Sequence, residues 1–205
     1  MTLLAIPPQR VEDIDRAKEF LFRTFGESRW SEERYLDLSD STNHLIELSE
    51  GRLIVLPMPT PKHQDIVGNI YLVFRRWASE HKGKTLMAPV PVRLWSGKFR
   101  EPDVMLFSAE HRDRVGEKFS GPPDLAVEIL SPGSIANDKD EKFKEYARAG
   151  IPEYWILDSE QPSLEQYLLE GEKYRLHAQL GSGDMARADV LAGLEVSIDV
   201  IYTSD

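Results

Sequence analysis

The chain contains no cysteine. That excludes a disulfide framework, a zinc ribbon and a thiol nucleophile, and it leaves carboxylate, carbonyl, water and histidine as the ligands any metal could use. Such a donor set suits magnesium or manganese. No apolar run is long enough to span a membrane, no segment repeats, and the amino terminus (Met1-Thr2-Leu3-Leu4-Ala5-Ile6-Pro7-Pro8) has neither the basic region nor the hydrophobic core of a signal peptide. We therefore expect a cytoplasmic protein without membrane partners. Basic residues are outnumbered, 25 Lys and Arg against 35 Asp and Glu for a net charge of -10. This excludes a protein that coats nucleic acid non-specifically, which needs a basic surface. A nuclease is compatible with that charge, because local patches such as Arg75-Arg76 or Lys82-Gly83-Lys84 can face a phosphate backbone while the remainder stays acidic. Taken alone, each patch reads as solvated helix-end charge.

With 205 residues, 41% of them hydrophobic, the chain can bury a full α/β core as a single domain, 1–205. Ser31 starts a short helix as its N-cap. The runs on either side of Glu50-Gly51 form a hairpin. Thr60 caps a long helix with Pro61 in its first turn, and Ile66, Val67, Ile70, Tyr71, Val73, Phe74 and Trp77 recur at helical spacing through about His81. Strands follow over 89–95, 102–107 and 125–130, and the short loop 96–101 between the first two suggests an antiparallel pair. After the turn Ser131-Pro132-Gly133, a helix runs over 137–148 to Gly150 and Pro152. The strand over 153–158 completes a right-handed crossover, giving parallel pairing with 125–130. Further strands are expected over 164–169, 173–178 and 190–194. The total is a mixed β-sheet flanked by helices, with extra strands on its N- and C-terminal sides.

Two carboxylates interrupt runs that otherwise read as core: Asp103 in Glu101-Pro102-Asp103-Val104-Met105-Leu106-Phe107, and Glu128 in Asp124-Leu125-Ala126-Val127-Glu128-Ile129-Leu130. A buried charge is costly unless paired or bound to a cation. Strand alternation puts Glu128 on a face with Ala126 and Leu130. On the next helix Asp138, Lys142 and Tyr146 are four apart and share a face, which can bring the Lys142 ammonium to Glu128. By itself that spacing is an ordinary helix ion pair. With two strand acids it suggests a divalent-metal hydrolase. His63 in the first turn of the long helix and Glu47 in the hairpin have blander explanations, a satisfied core histidine and an exposed strand position; we place both at the rim of the cleft.

The segments Glu47-Leu48-Ser49-Glu50-Gly51, His63 after the proline-rich turn, Pro102-Asp103, Val127-Glu128-Ile129-Leu130-Ser131-Pro132, Asp138 with Lys142, and Ala149-Gly150-Ile151-Pro152-Glu153-Tyr154-Trp155-Ile156-Leu157-Asp158 resemble the Uma-two family. That family is restriction-endonuclease-like, within the PD-(D/E)XK nuclease superfamily. The resemblance implies a restriction-endonuclease-like core over 30–195, with 1–29 as an N-terminal extension. It implies Asp103 and Glu128 as ligands of Mg²⁺, or of Mn²⁺ in its place, together with the Ile129 carbonyl. Lys142 is then the catalytic ammonium, and Asp138 and Tyr146 support it. The superfamily's lysine stands two residues after the second acid, where this chain has Leu130, so Lys142 must serve from the helix instead. DNA is the implied substrate, and a homodimer suits a double-strand cutter. Two other readings compete: a catalytically silent nuclease-fold module that binds nucleic acid or a protein, and a metal-free glycosidase using Asp103 and Glu128 as acid and base.

Overall fold

Apolar periodicity and capping chemistry decide most of the elements. The structure, a computed structural model, describes residues 29–42, 44–130 and 138–203, the side chains of 138 and 139 excepted. The expected N-terminal extension, apart from Arg29, and the turn at 131–133 lie outside the described residues. Helix α1 (Glu32–Ser41) starts where the Ser31 side chain accepts from the Arg34 amide. The hairpin of β1 (Ile46–Ser49) and β2 (Arg52–Val55) turns at Glu50 and Gly51, both at positive φ. Helix α2 (Pro61–Glu80) has Thr60 as N-cap, its side chain accepting from the His63 amide. Then come β3 (Lys84–Met87), β4 (Val92–Trp95), β5 (Lys98–Arg100), β6 (Val104–Phe107), β7 (Leu125–Leu130), α3 (Asp138–Arg148) and β8 (Glu153–Asp158). The chain continues with β9 (Ser163–Glu170), β10 (Lys173–Gly181), β11 (Met185–Arg187), β12 (Glu195–Ser197) and α4 (Ile198–Ile201).

The main sheet has the order β10-β9-β8-β7-β6-β3, with β7 and β8 parallel and the other neighbours antiparallel. A second sheet, β2-β1-β5-β4, stands beside it, and β11 pairs with β12 alone. Alternation along β7 sends Leu125, Val127 and Ile129 into the core under α2, with Phe74 and Trp155. Ala126 and Leu130 join Tyr146, Ala147 and Tyr154 in a separate cluster on the α3 side. Glu128 therefore opens onto α3. Among the described residues no helix is long and apolar enough to cross a membrane.

Three expectations need correction. The stretches 89–95 and 102–107 do not pair: the turn at Gly97, with φ 77°, closes a hairpin immediately after Trp95, and the supposed loop returns as β5 against β4. Pro102 has no amide to continue that ladder, and β6 enters the main sheet between β3 and β7. Strand β3 was not expected at all, since four residues with two apolar positions carry too little pattern. The run 190–194 is no strand either. The amides of Asp189 and Val190 donate to the Glu153 carboxylate at 2.9 and 3.0 Å, which removes them from any ladder, and β11 and β12 flank this turn.

Candidate active site

The pairing of Val104 with Val127 in the antiparallel β6–β7 ladder puts Asp103 across from Glu128, one step further along. The two carboxylates share a face of the main sheet. Asp103 Oδ2 accepts from the Ile129 amide at 2.8 Å and stands 3.3 Å from His63 Nε2. His63 comes from the first turn of α2 and is 7% exposed, so it lies inside the site and not at its rim. Burial pulls its imidazole pKa down, but the hydrogen bond and charge of Asp103, aided by Glu128 and the Ile129 backbone, raise it overall.

Glu128 is held from α3. Lys142 Nζ donates to Oε2 at 2.9 Å, and the Tyr146 hydroxyl donates to Oε1 at 2.6 Å. Spacing by four residues puts both donors on one helix face, as the sequence suggests. Burial raises the Glu128 pKa, with Lys142 opposing and Asp103 adding to the rise. Two donors on two separate oxygens favour the ionised carboxylate. For Lys142 burial acts downward, yet the charges of Glu128, Glu47 and Asp103 keep its ammonium firmly protonated.

Glu47 was expected at the rim and is instead fully buried, because β1 is an interior strand of the second sheet. One of its oxygens stands 3.5 Å from Lys142 Nζ and accepts from the Glu101 amide at 3.2 Å; the other accepts from Arg100 at 2.6 Å. The Asp138 side chain lies outside the described residues.

Sequence reasoning missed Lys98, Arg100, Glu101 and Glu145. Arg100, with its side chain 1% exposed, reaches Glu47, Glu141 and Glu145 together, and Lys98 donates to Glu145 at 2.6 Å and to Ser49 at 2.7 Å. The signal was Lys98-Phe99-Arg100, charges alternating about an aromatic residue, which is a strand pattern. Glu101 is buried with neither carboxyl oxygen in a regular hydrogen bond. Burial and then the Glu47 charge push its carboxyl up to about 8, against Lys142 and the Ile46 backbone. The basic patches lie elsewhere: Arg75 donates to Tyr71 and Arg76 pairs with Glu80, late in α2. At 1.5 Å per residue they are roughly 18 Å along the helix from His63.

Among the described residues no three His, Asp or Glu side chains are grouped so as to hold a metal ion by themselves. As a donor set, two carboxylates on one sheet face match the chemistry of a hard cation such as magnesium, which takes few carboxylates and completes its shell with backbone oxygen and water. They do not fit zinc, which needs a fuller set of protein ligands.

The family model described as "Uma2: Putative restriction endonuclease" matches residues 32–200. An uncharacterized protein of Synechocystis sp. is 30% identical over 102 residues, 49% of this chain and 53% of that protein, so the match spans about half of the relative's length. A crystal structure of a protein from Anabaena variabilis, described as a "putative nuclease belonging to DUF820", superposes with a TM-score of 0.64 over 82% of this chain and 96% of that one. At 19% identity this likeness shows a shared fold. With most of its length matched by the family model and its fold shared with the Anabaena variabilis protein, the chain belongs to the Uma2 family of restriction-endonuclease-like proteins.

Proposed function

We propose that the protein is a Mg²⁺-dependent nuclease that hydrolyses phosphodiester bonds in DNA. The observation that carries this reading is the Lys142–Glu128 contact at 2.9 Å beside a second acid, Asp103, across the β6–β7 ladder. Buried acids that serve only the fold need no second acid as neighbour; a cation site does. Asp103, Glu128 and the Ile129 carbonyl, with waters, would hold Mg²⁺ or Mn²⁺. When bound, the metal polarises the phosphoryl oxygen and acidifies water. Lys142 orients the attacking water and stabilises charge that develops on the phosphoryl group. Tyr146 holds the second oxygen of Glu128 and so fixes the carboxylate plane. His63 holds Asp103, and the N-terminal turn of α2 favours an anionic phosphate.

The glycosidase reading loses ground, because Glu128 is already bound to an ammonium and a phenol and offers no free acid. The silent-module reading has one observation in its favour: both oxygens of Glu128 already accept hydrogen bonds from the protein. Cleavage assays decide between the two. Supercoiled plasmid at low ionic strength should be nicked or cut with Mg²⁺ or Mn²⁺, spared after chelation, and bound but scarcely cut with Ca²⁺. Failure to cut duplex DNA, single-stranded DNA or RNA with any of these ions would favour the silent module. Sedimentation of the protein with DNA tests whether it acts as a homodimer.

A further inference from the structure

Lys142 reaches Glu128 from a helix, so its ammonium is placed only as well as α3 is placed on the main sheet. Three faces of α3 are gripped. Phe143 packs edge-on against Tyr167 and Tyr174 and tilted against Tyr154, a contact with no hydrogen bond in it. Lys142 and Tyr146 bond Glu128. The third face, Glu141 and Glu145, meets the second sheet, where Arg100 Nε and Nη2 bond both oxygens of Glu145 at 2.7 and 3.1 Å and Nη2 also reaches Glu141 at 3.3 Å. The same guanidinium donates through Nη1 to Glu47, which contacts Lys142 at 3.5 Å. One buried arginine thus grips the helix that carries the lysine and the acid that supports it. A planar fork fixes direction as well as distance, which a flexible ammonium cannot do.

We propose that Arg100 is a positioning residue: through Glu145 and Glu141 on α3, and through Glu47, it locks the Lys142 ammonium onto Glu128. The second sheet acts as a clamp, adding a directional charged grip to a helix that the main sheet holds by aromatic packing and by Glu128. The kinetic part of this proposal rests on the nuclease reading, whereas the structural part stands without it.

The test compares the parent with Arg100→Lys and Glu145→Gln, two changes that keep polarity and size near the originals. Thermal melts first establish that each variant folds. Amine acylation followed by mass spectrometry then reads Lys142 directly, with Lys62, whose side chain is 49% exposed, as an internal reference. Lys142 labelling should rise about tenfold in both folded variants while Lys62 stays constant, because the two-oxygen fork onto position 145 is lost and the Lys98 ammonium that remains there fixes distance but not direction. With plasmid and Mg²⁺, kcat should fall about tenfold and KM change less than about twofold, the split expected of a group that acts only through a transition-state ammonium. Lys142 as protected as in the parent in both variants overturns the clamp. If Arg100→Lys does not fold, Glu145→Gln decides by the same two readouts. If the parent cuts no nucleic acid, the nuclease reading fails and the labelling alone decides the clamp.

Discussion

Two parallel neighbours in the main sheet each bury a glutamate, and the two are held in opposite ways. Glu153 on β8 accepts from Trp155 Nε1 at 2.6 Å, Gln166 Nε2 at 2.8 Å and the amides of Asp189 and Val190. All four donors are neutral. They tie the 185–197 segment to the sheet, and burial still raises the Glu153 pKa despite them. Glu128 on β7 has an ammonium, a phenol and a second carboxylate around it. A full set of neutral donors makes a buried acid into a clamp. A second acid beside it that no arginine neutralises, as Asp103 stands beside Glu128, leaves negative charge for a cation to meet, unlike the Glu47, Glu141 and Glu145 carboxylates gathered on Arg100.

The sharpest way to break this contrast is at Lys142. If the ammonium acts in the transition state, Lys142→Ala should lower kcat by on the order of 10²–10³-fold while DNA affinity, read by fluorescence anisotropy with Ca²⁺, stays within about threefold. Equal loss of affinity and rate would make it a binding residue. Where the donors are neutral the expected loss is in stability: Glu153→Ala removes the acceptor of the buried Trp155 Nε1 and of the Asp189 and Val190 amides, while Gln166 Nε2 keeps the Arg187 carbonyl, and it should destabilise the protein by about 2 kcal/mol in urea melts. Its effect on Mg²⁺ binding should be nil.

Glu101 offers a third kind of buried acid, whose carboxyl oxygens lack a regular hydrogen-bond partner. Its carboxyl is raised from 4.5 to about 8, so the folded state holds its proton more tightly than the unfolded state does. The stability this confers is full below pH 4.5 and is lost as pH rises to about 8. Glu101→Gln should therefore stabilise the cation-free protein at pH 8, by on the order of 1–3 kcal/mol, and flatten the loss of stability between pH 5 and about 8. An unchanged slope would place the titration on another group. The smallest effect is expected at Asp103→Asn, which keeps an acceptor for the Ile129 amide and relieves repulsion at Glu128. Without cation it should melt within about 1 kcal/mol of the parent, but the rise in Tm on adding Mg²⁺ should disappear.

These differences also explain what could be read from the sequence. Caps at Ser31 and Thr60, the helical period of α2 and the division of β7 between two core clusters on opposite faces are local signals, and the structure has all of them. The Lys142–Tyr146 face is local too, since four residues on a helix fix it. Arg100 was not legible, because its three partners come from β1 and α3, 41 to 53 residues away. Misreading β5 as a loop hid it further, and that error also produced the false pairing of 89–95 with 102–107. Glu153 escaped for the same reason as β11 and β12: its donors in the 185–197 segment become visible only when the chain has folded back.

A crystal soaked in Mn²⁺ and measured for anomalous scattering tests the central claim most directly, because it sees the cation and both glutamates at once. We expect one strong peak between the Asp103 and Glu128 carboxylates, near the Ile129 carbonyl, and none at Glu153. A soaked crystal with no peak at Asp103 and Glu128, or with manganese bound elsewhere in the fold, would contradict it.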